Sequence, residues 1–188
     1  MGLSYADDEL PFQCFNAAKS WQLGWYDNKA ITFAPTRNGQ ISYYGKLAGI
    51  ANYETTPHNV LMEIKQTNSP WAFYMNYNLA KGMNRLTMEG ADQVLITMKN
   101  TANDENFSFL SRAMDPGDSF VLNNFNGQNG ETLTVKFLSV SGEDADISIV
   151  LTGPNVPALT PPPTGRPTPH PTKPPTLPPK TPEPTKCT

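Results

Sequence analysis

The sequence predicts a mainly β fold: a β-sandwich of eight or nine strands, preceded by a short helix and followed by a disordered Pro/Thr stalk. Three observations predict it. Residues 29–153 contain short runs rich in Val, Ile, Phe, Tyr and Thr, separated by turn residues. Residues 14–25 carry apolar side chains at helical spacing. Residues 154–188 contain 14 of the 19 prolines and eight threonines, a composition that favours extended polyproline II and cannot build a core.

The first predicted element is an amphipathic helix in residues 14–25. Phe15, Ala18, Trp21 (or Gln22) and Trp25 recur at helical spacing, and Gly24 interrupts the pattern. A helix this short cannot bury two indole rings alone, so it needs a partner surface. Because the following residues have the pattern of strands, we expect that partner to lie outside this chain.

Nine candidate strands follow the helix. The clearest alternation places Leu133, Val135 and Phe137 on one face of a strand, and Ile147 and Ile149 repeat it near the end of the series. Two sheets with such faces pack against each other as a sandwich. The candidate strands are 30–34, 40–45, 59–65, 72–78, 93–99, 107–110, 119–123, 132–139 and 146–152.

Turn residues separate these strands. Asn38 and Gly39 predict a hairpin turn, because both residue types tolerate positive φ. Residues 115–118 and 126–130 predict turns by the same chemistry. Residues 79–88 predict a loop, since glycine and asparagine weaken a helix there.

Charge and hydropathy limit the classes of partner. The chain has a net charge of −3, and its stalk carries +3, so the body before the stalk carries −6. An acidic body argues against a nucleic-acid partner, which requires clustered Lys and Arg. No run of the sequence approaches the roughly 18 apolar residues of a membrane span.

Acidic groups are the first candidate metal ligands. Hard cations such as Ca²⁺ take clustered carboxylates. Residues 7–9, residues 104–105, and Glu143 with Asp144 and Asp146 offer such clusters. Three neighbouring acids in a turn are more often solvated, so the residues predict no metal site in this chain.

Histidine and cysteine supply little further chemistry. The two histidines are His58, expected in an exposed polar loop, and His170 in the stalk. Cys14 and Cys187 are either free thiols or halves of disulfides whose partners lie outside this chain. The residues predict no catalytic triad, activated cysteine or phosphate-binding loop.

Two surface features bear on binding and modification. Asn106 begins an Asn-Phe-Ser sequon in an expected loop, so it is a possible glycosylation site in a secreted protein. A set of aromatic residues either forms a platform that stacks on sugar rings or is divided between core and surface. This set comprises Tyr43, Tyr44, Trp71, Tyr74 and Tyr77.

The amino-terminal region carries a resemblance to a known family. Residues 12–26, which include CFNAAKSWQLGWY after a Met-Gly turn, resemble the closing segment of the catalytic domain in gametolysin-like secreted zinc metallopeptidases, which are metzincins. A looser similarity runs through YMNYNLAKGMNRLTMEGADQVLITMK. The resemblance implies that residues 1–28 end a catalytic domain, 29–153 form an accessory β-sandwich and 154–188 form a linker.

The family's zinc motif, HExxHxxGxxH, is absent from this sequence. The resemblance therefore implies zinc in the intact enzyme but none bound to this chain, which holds no catalytic residue. It implies that Met1 forms the apolar floor beneath the zinc ligands. Tyr5 is a possible lining residue of the primed-side wall.

The expected function follows from this resemblance. The chain would be the carboxy-terminal part of a zinc metalloendopeptidase that acts on extracellular or cell-wall proteins or glycoproteins. Its partner would be a catalytic domain encoded upstream, and its location extracellular, although no signal peptide is visible here. The alternative is a non-catalytic extracellular β-sandwich module that binds glycan or protein on a Pro/Thr stalk.

Overall fold

In the described part of the chain, the fold consists of nine strands in two sheets and one short α-helix. The computed structural model describes residues 16–85, 87, 90–103 and 107–159. The chain divides into two units, Met1–Ala158 and Leu159–Thr188. The strands are β1 Ala30–Phe33, β2 Ser42–Ala48, β3 Leu61–Lys65, β4 Trp71–Tyr77, β5 Val94–Asn100, β6 Ser108–Met114, β7 Ser119–Asn123, β8 Thr132–Ser141 and β9 Asp144–Thr152.

The strands form a five-stranded sheet in the order β1-β3-β4-β5-β6 and a four-stranded sheet in the order β2-β9-β8-β7. The β1–β3 pair is parallel, and every other pair is antiparallel. The predicted β-sandwich is confirmed, and each of the nine candidate strands has an observed counterpart. The strand ends differ by a few residues. The largest extension is in β6, where a register shift opposite Ile96 and Thr97 lets pairing continue beyond the predicted end.

The main core lies between the two sheets. Leu133, Val135 and Phe137 of β8 are buried with Ile147 and Ile149 of β9, all at 1% exposure or less. The alternation predicted these positions because successive side chains of a strand point to opposite faces. Residues of β3, β4 and β5 close the core from the other sheet, among them Ile64, Met75, Tyr77 and Ile96.

Helix α1, Ala17–Gln22, is shorter than the predicted 14–25 segment, whose first two residues lie outside the described part of the chain. Asn16 caps its start, because its side chain accepts a hydrogen bond from the Lys19 amide. After the helix, Gly24 adopts a φ of +69°. The Trp25 amide donates to the Ser20 carbonyl at 2.9 Å, and the Gly24 amide donates to the Trp21 carbonyl at 3.1 Å. These bonds form a Schellman motif, which explains why the helix ends at this glycine.

The partner surface of α1 is this chain's own five-stranded sheet, contrary to the expectation that it lies elsewhere. Ala17 and Ala18 are buried in a second apolar cluster on the outer face of that sheet, together with Ala72 and Tyr74. Trp21 packs on this cluster and is partly buried. Trp25 remains 44% exposed. The sheet therefore covers one of the two indole rings in part, because α1 ends before Trp25.

The predicted hairpin at Asn38 and Gly39 is wrong. A turn is present, since the Gly39 amide donates to the Thr36 carbonyl at 3.0 Å. However, the strands that it joins, β1 and β2, belong to different sheets. The turn at residues 115–118 also connects the two sheets, and residues 126–130 lie in the connection of the β7–β8 hairpin. In the expected loop, Gly82–Asn84 form a 3-10 turn.

Candidate functional site

A cavity lies between helix α1 and the outer face of the five-stranded sheet. We call it the α1 cavity; its volume is about 330 Å³. Its lining combines an indole, a phenol, a carboxylate, an ammonium group and an amide. The lining residues are Ala18, Trp21 and Gln22 of α1, Glu63 of β3, Tyr74 of β4, Lys99 of β5, and Thr101.

The sheet register brings the polar residues to one face. Glu63 pairs with Tyr74, and Tyr74 pairs with Thr97. Lys99 lies two residues further along β5, on the same face as Thr97. Inward-facing neighbours such as Ile64 and Met75 fill the main core, so the outer positions of these strands remain available for polar residues.

Glu63 is a nearly buried carboxylate, with 9% of its surface exposed. Its Oε2 accepts a hydrogen bond from Thr32 Oγ1 at 3.0 Å, and its Oε1 accepts one from Tyr74 Oη at 3.2 Å. Burial of a charged carboxylate is costly unless it is hydrogen bonded. The two hydroxyl donors therefore hold this carboxylate in place beside the cavity.

Lys99 is the buried cation of the same cavity, with 3% exposure. Its Nζ donates to Gln22 Oε1 of helix α1 at 2.9 Å. Lysine is rarely buried this deeply unless its ammonium group is paired. The bond therefore ties the end of α1 to β5 and fixes the position of the positive charge.

Two aromatic rings form one wall of the α1 cavity. The centroids of Trp21 and Tyr74 are 5.8 Å apart, with an interplanar angle of 51°. Of the two alternatives for the five aromatic residues, division between core and surface is confirmed, and they form no common platform. Tyr74 and Tyr77 are buried at 4% and 1% exposure, whereas Tyr44 is 64% exposed on the other sheet.

A second cavity of about 330 Å³, the loop cavity, lies where the β1–β2, β3–β4 and β7–β8 loops meet. Arg37 forms an ion pair at 2.7 Å with Glu131, which is 2% exposed, and also donates to Gln128. Asn126 bonds to backbone atoms of both other loops. Because these groups bind one another, they hold the loops together. No aromatic ring is found among the described residues that line this cavity.

The acidic residues near β9 contact separate basic side chains and do not converge on one point. Glu143 bonds to Lys81, Asp146 lies 3.4 Å from Lys46 Nζ, and Asp144 lies 3.6 Å from Nε2 of His58, a histidine that is 39% exposed. The Lys81 ammonium group holds the pKa of Glu143 below its usual range, with help from an asparagine amide. Within the described ranges, no group of three or more His, Cys, Asp or Glu residues could hold a metal ion.

Several predicted sites lie outside the described residues. These are Met1, Tyr5 and the sequon residue Asn106, together with both cysteines, His170, the acidic residues 7–9 and 104–105, and stalk residues 160–188. The sequence interpretation missed Glu63 and Lys99. Both occupy polar positions of alternating strands, which are typical of a solvated face. The signal that could have identified them is the preceding amphipathic helix, which can cover that face.

The part of the chain described by the structure contains no helix long and apolar enough to cross a membrane. The chain matches no protein-family model, no curated protein and no solved structure at a significant level.

Proposed function

We propose that this chain is the carboxy-terminal part of a gametolysin-like zinc metalloendopeptidase that acts on extracellular or cell-wall proteins. The resemblance of residues 12–26 to the end of that family's catalytic domain carries the proposal. The packing of α1 supports one aspect of it. Within the described residues, α1 packs directly on the sandwich, and only the 3-10 turn Asp27–Lys29 lies between the resembling segment and β1. A sandwich attached in this way would hold a constant position beside a preceding domain.

The intact family enzyme uses zinc to activate the attacking water. The donors that the structure describes do not fit that role. His58, the one histidine within the described ranges, lies beside Asp144, and the nearby Glu143 is bonded to Lys81. The contribution that we assign to this chain is to bind and orient substrate next to a catalytic domain.

The test is the transcript that encodes this chain. We expect its reading frame to continue upstream through an HExxHxxGxxH motif, and the longer product to cleave extracellular glycoprotein in a zinc-dependent manner. Calorimetry on the 188-residue chain should detect no tight, stoichiometric zinc site. A frame that stops before residue 1, or tight zinc binding lost in His58→Ala, would contradict the proposal.

A second candidate function is a non-catalytic extracellular module that binds glycan or protein. The α1 cavity favours it, because aromatic and charged groups converge there in a volume suited to a small ligand. The two functions differ in the upstream sequence. A zinc motif supports the first, and its absence together with retained ligand binding supports the second.

A further inference from the structure

The α1 cavity contains one buried charge of each sign. Glu63 contributes the carboxylate and Lys99 the ammonium group, at 9% and 3% exposure. An anionic ligand would meet the Glu63 carboxylate, and a cationic ligand would meet the Lys99 ammonium group. In a site of low dielectric constant, such like-charge contacts are costly. The charges of this lining therefore disfavour a ligand with a net charge.

A ligand of this cavity must both donate and accept hydrogen bonds. The Glu63 carboxylate accepts hydrogen bonds only, and the Lys99 ammonium group donates them only. A hydroxyl group can do both. Several hydroxyl groups on one small molecule could therefore reach both charged groups without introducing a charge.

The wall formed by Trp21 and Tyr74 adds a preference for shape. The rings lie 5.8 Å apart, and Trp21 is only partly buried. An aromatic face has negative electrostatic potential and attracts positively polarised C–H groups. The C–H face of a sugar ring presents such groups. The cavity volume of about 330 Å³ lies at the lower end of the range for small-molecule sites.

We propose that the α1 cavity binds a neutral saccharide ring. The ring stacks on Trp21, one hydroxyl donates to Glu63, and another accepts from Lys99. The same chemistry describes a free sugar and a glycan attached to a protein. This inference rests on the binding role proposed above and names the ligand class of that site.

The test is a titration of the 188-residue chain with neutral monosaccharides and their methyl glycosides, followed by NMR. Glucuronic acid and glucosamine serve as charged probes, and a free amino acid as a zwitterionic probe. We expect saturable shifts in α1, β4 and β5 with at least one neutral sugar, and weaker binding of all three other probes. A glycopeptide carrying that sugar then distinguishes a protein-linked glycan from a free sugar as the better ligand.

Variants locate the site. Glu63→Gln preserves shape and should weaken binding about tenfold, since it removes a charged acceptor. Trp21→Ala should abolish saturation. Gln22→Ala should also weaken binding, because Gln22 Oε1 accepts from Lys99 Nζ and holds the ammonium group in place. Since Gln22 is exposed, this variant tests the site even if Trp21→Ala fails to fold. Tyr44→Ala is the matched control, because this exposed aromatic residue lies on the other sheet.

Three results would overturn the inference: no saturable binding of any neutral sugar, equal or tighter binding of a charged or zwitterionic probe, or binding that is lost in Tyr44→Ala but kept in Glu63→Gln. None of these results depends on the upstream reading frame. A failure of this inference is therefore distinguishable from a failure of the peptidase proposal.

Discussion

Replacement of Asn126 is expected to separate the loops at one end of the sandwich. Asn126 is 3% exposed and belongs to the β7–β8 connection. Its Oδ1 accepts from the Thr67 amide at 2.9 Å, and its Nδ2 donates to the Pro35 carbonyl at 3.0 Å. One side chain thus joins three loops. Its backbone adopts a φ of +59°, which asparagine tolerates better than most residues.

The magnitude follows from these contacts. Loss of the side-chain amide leaves a part-buried amide and a buried carbonyl without partners. Together these losses should cost about 3 kcal/mol. Alanine adds about 1 kcal/mol, because its Cβ disfavours positive φ. We therefore expect Asn126→Ala to lower the free energy of unfolding by about 4 kcal/mol, and Asn126→Gly by about 3 kcal/mol.

The assay is urea unfolding, followed by tryptophan fluorescence and analysed by linear extrapolation. Asn124 offers a matched control, because it has a φ of +53° but is exposed, and its side chain accepts a long bond of 3.4 Å from the Gly130 amide of the same connection instead of joining separate loops. Asn124→Ala should cost about 1 kcal/mol and Asn124→Gly close to none. The difference between alanine and glycine should therefore be similar at both positions, whereas the loss of loop contacts appears only at Asn126.

Two results would refute this reasoning. If Asn126→Gly unfolds at the same urea concentration as the unmodified protein, its two side-chain hydrogen bonds contribute nothing net. A larger loss at Asn124 than at Asn126 would likewise show that backbone conformation, not the contacts among the three loops, dominates.

Further predictions concern pH and packing. Burial and, to a smaller extent, two nearby carboxylates raise the pKa of Tyr77 in the folded protein. The unfolded chain therefore loses this proton at a lower pH than the folded protein does, and stability should fall as the pH rises above about 10. Tyr77→Phe should reduce that loss of stability in alkaline urea titrations. Glu143 has a lowered pKa, so its contact with Lys81 stabilises the fold above the ordinary glutamate pKa, and this stabilisation is lost as the pH falls. Lys81→Met should raise the pKa of Glu143 in an NMR titration. An unchanged pKa would assign the shift to another group. A Cβ at Gly49 would clash with the Cβ of Leu79. Gly49→Ala should therefore lower the free energy of unfolding by about 1–3 kcal/mol in urea. An unchanged unfolding midpoint would show that the loop adjusts freely.

Local patterns account for the strands and for the end of the helix. Strand β8 carries its own alternation in Leu133, Val135 and Phe137, and this period does not depend on which strand lies next to it, whereas β4 is recognised as a nearly continuous apolar run. Gly24 ends α1 through bonds that reach back only a few residues. Such features can be predicted from short windows of sequence because the interactions that form them are short in range.

The assignment of strands to sheets, and the candidate site, depend on contacts between distant residues. The turn at Asn38 and Gly39 is compatible with a hairpin, yet its strands enter different sheets because packing across the whole sandwich determines their neighbours. Glu63 and Lys99 have the pattern of a solvated face until α1 covers them. The hydrogen bond between Lys99 and Gln22 spans 77 positions, and no local pattern encodes a contact at that separation.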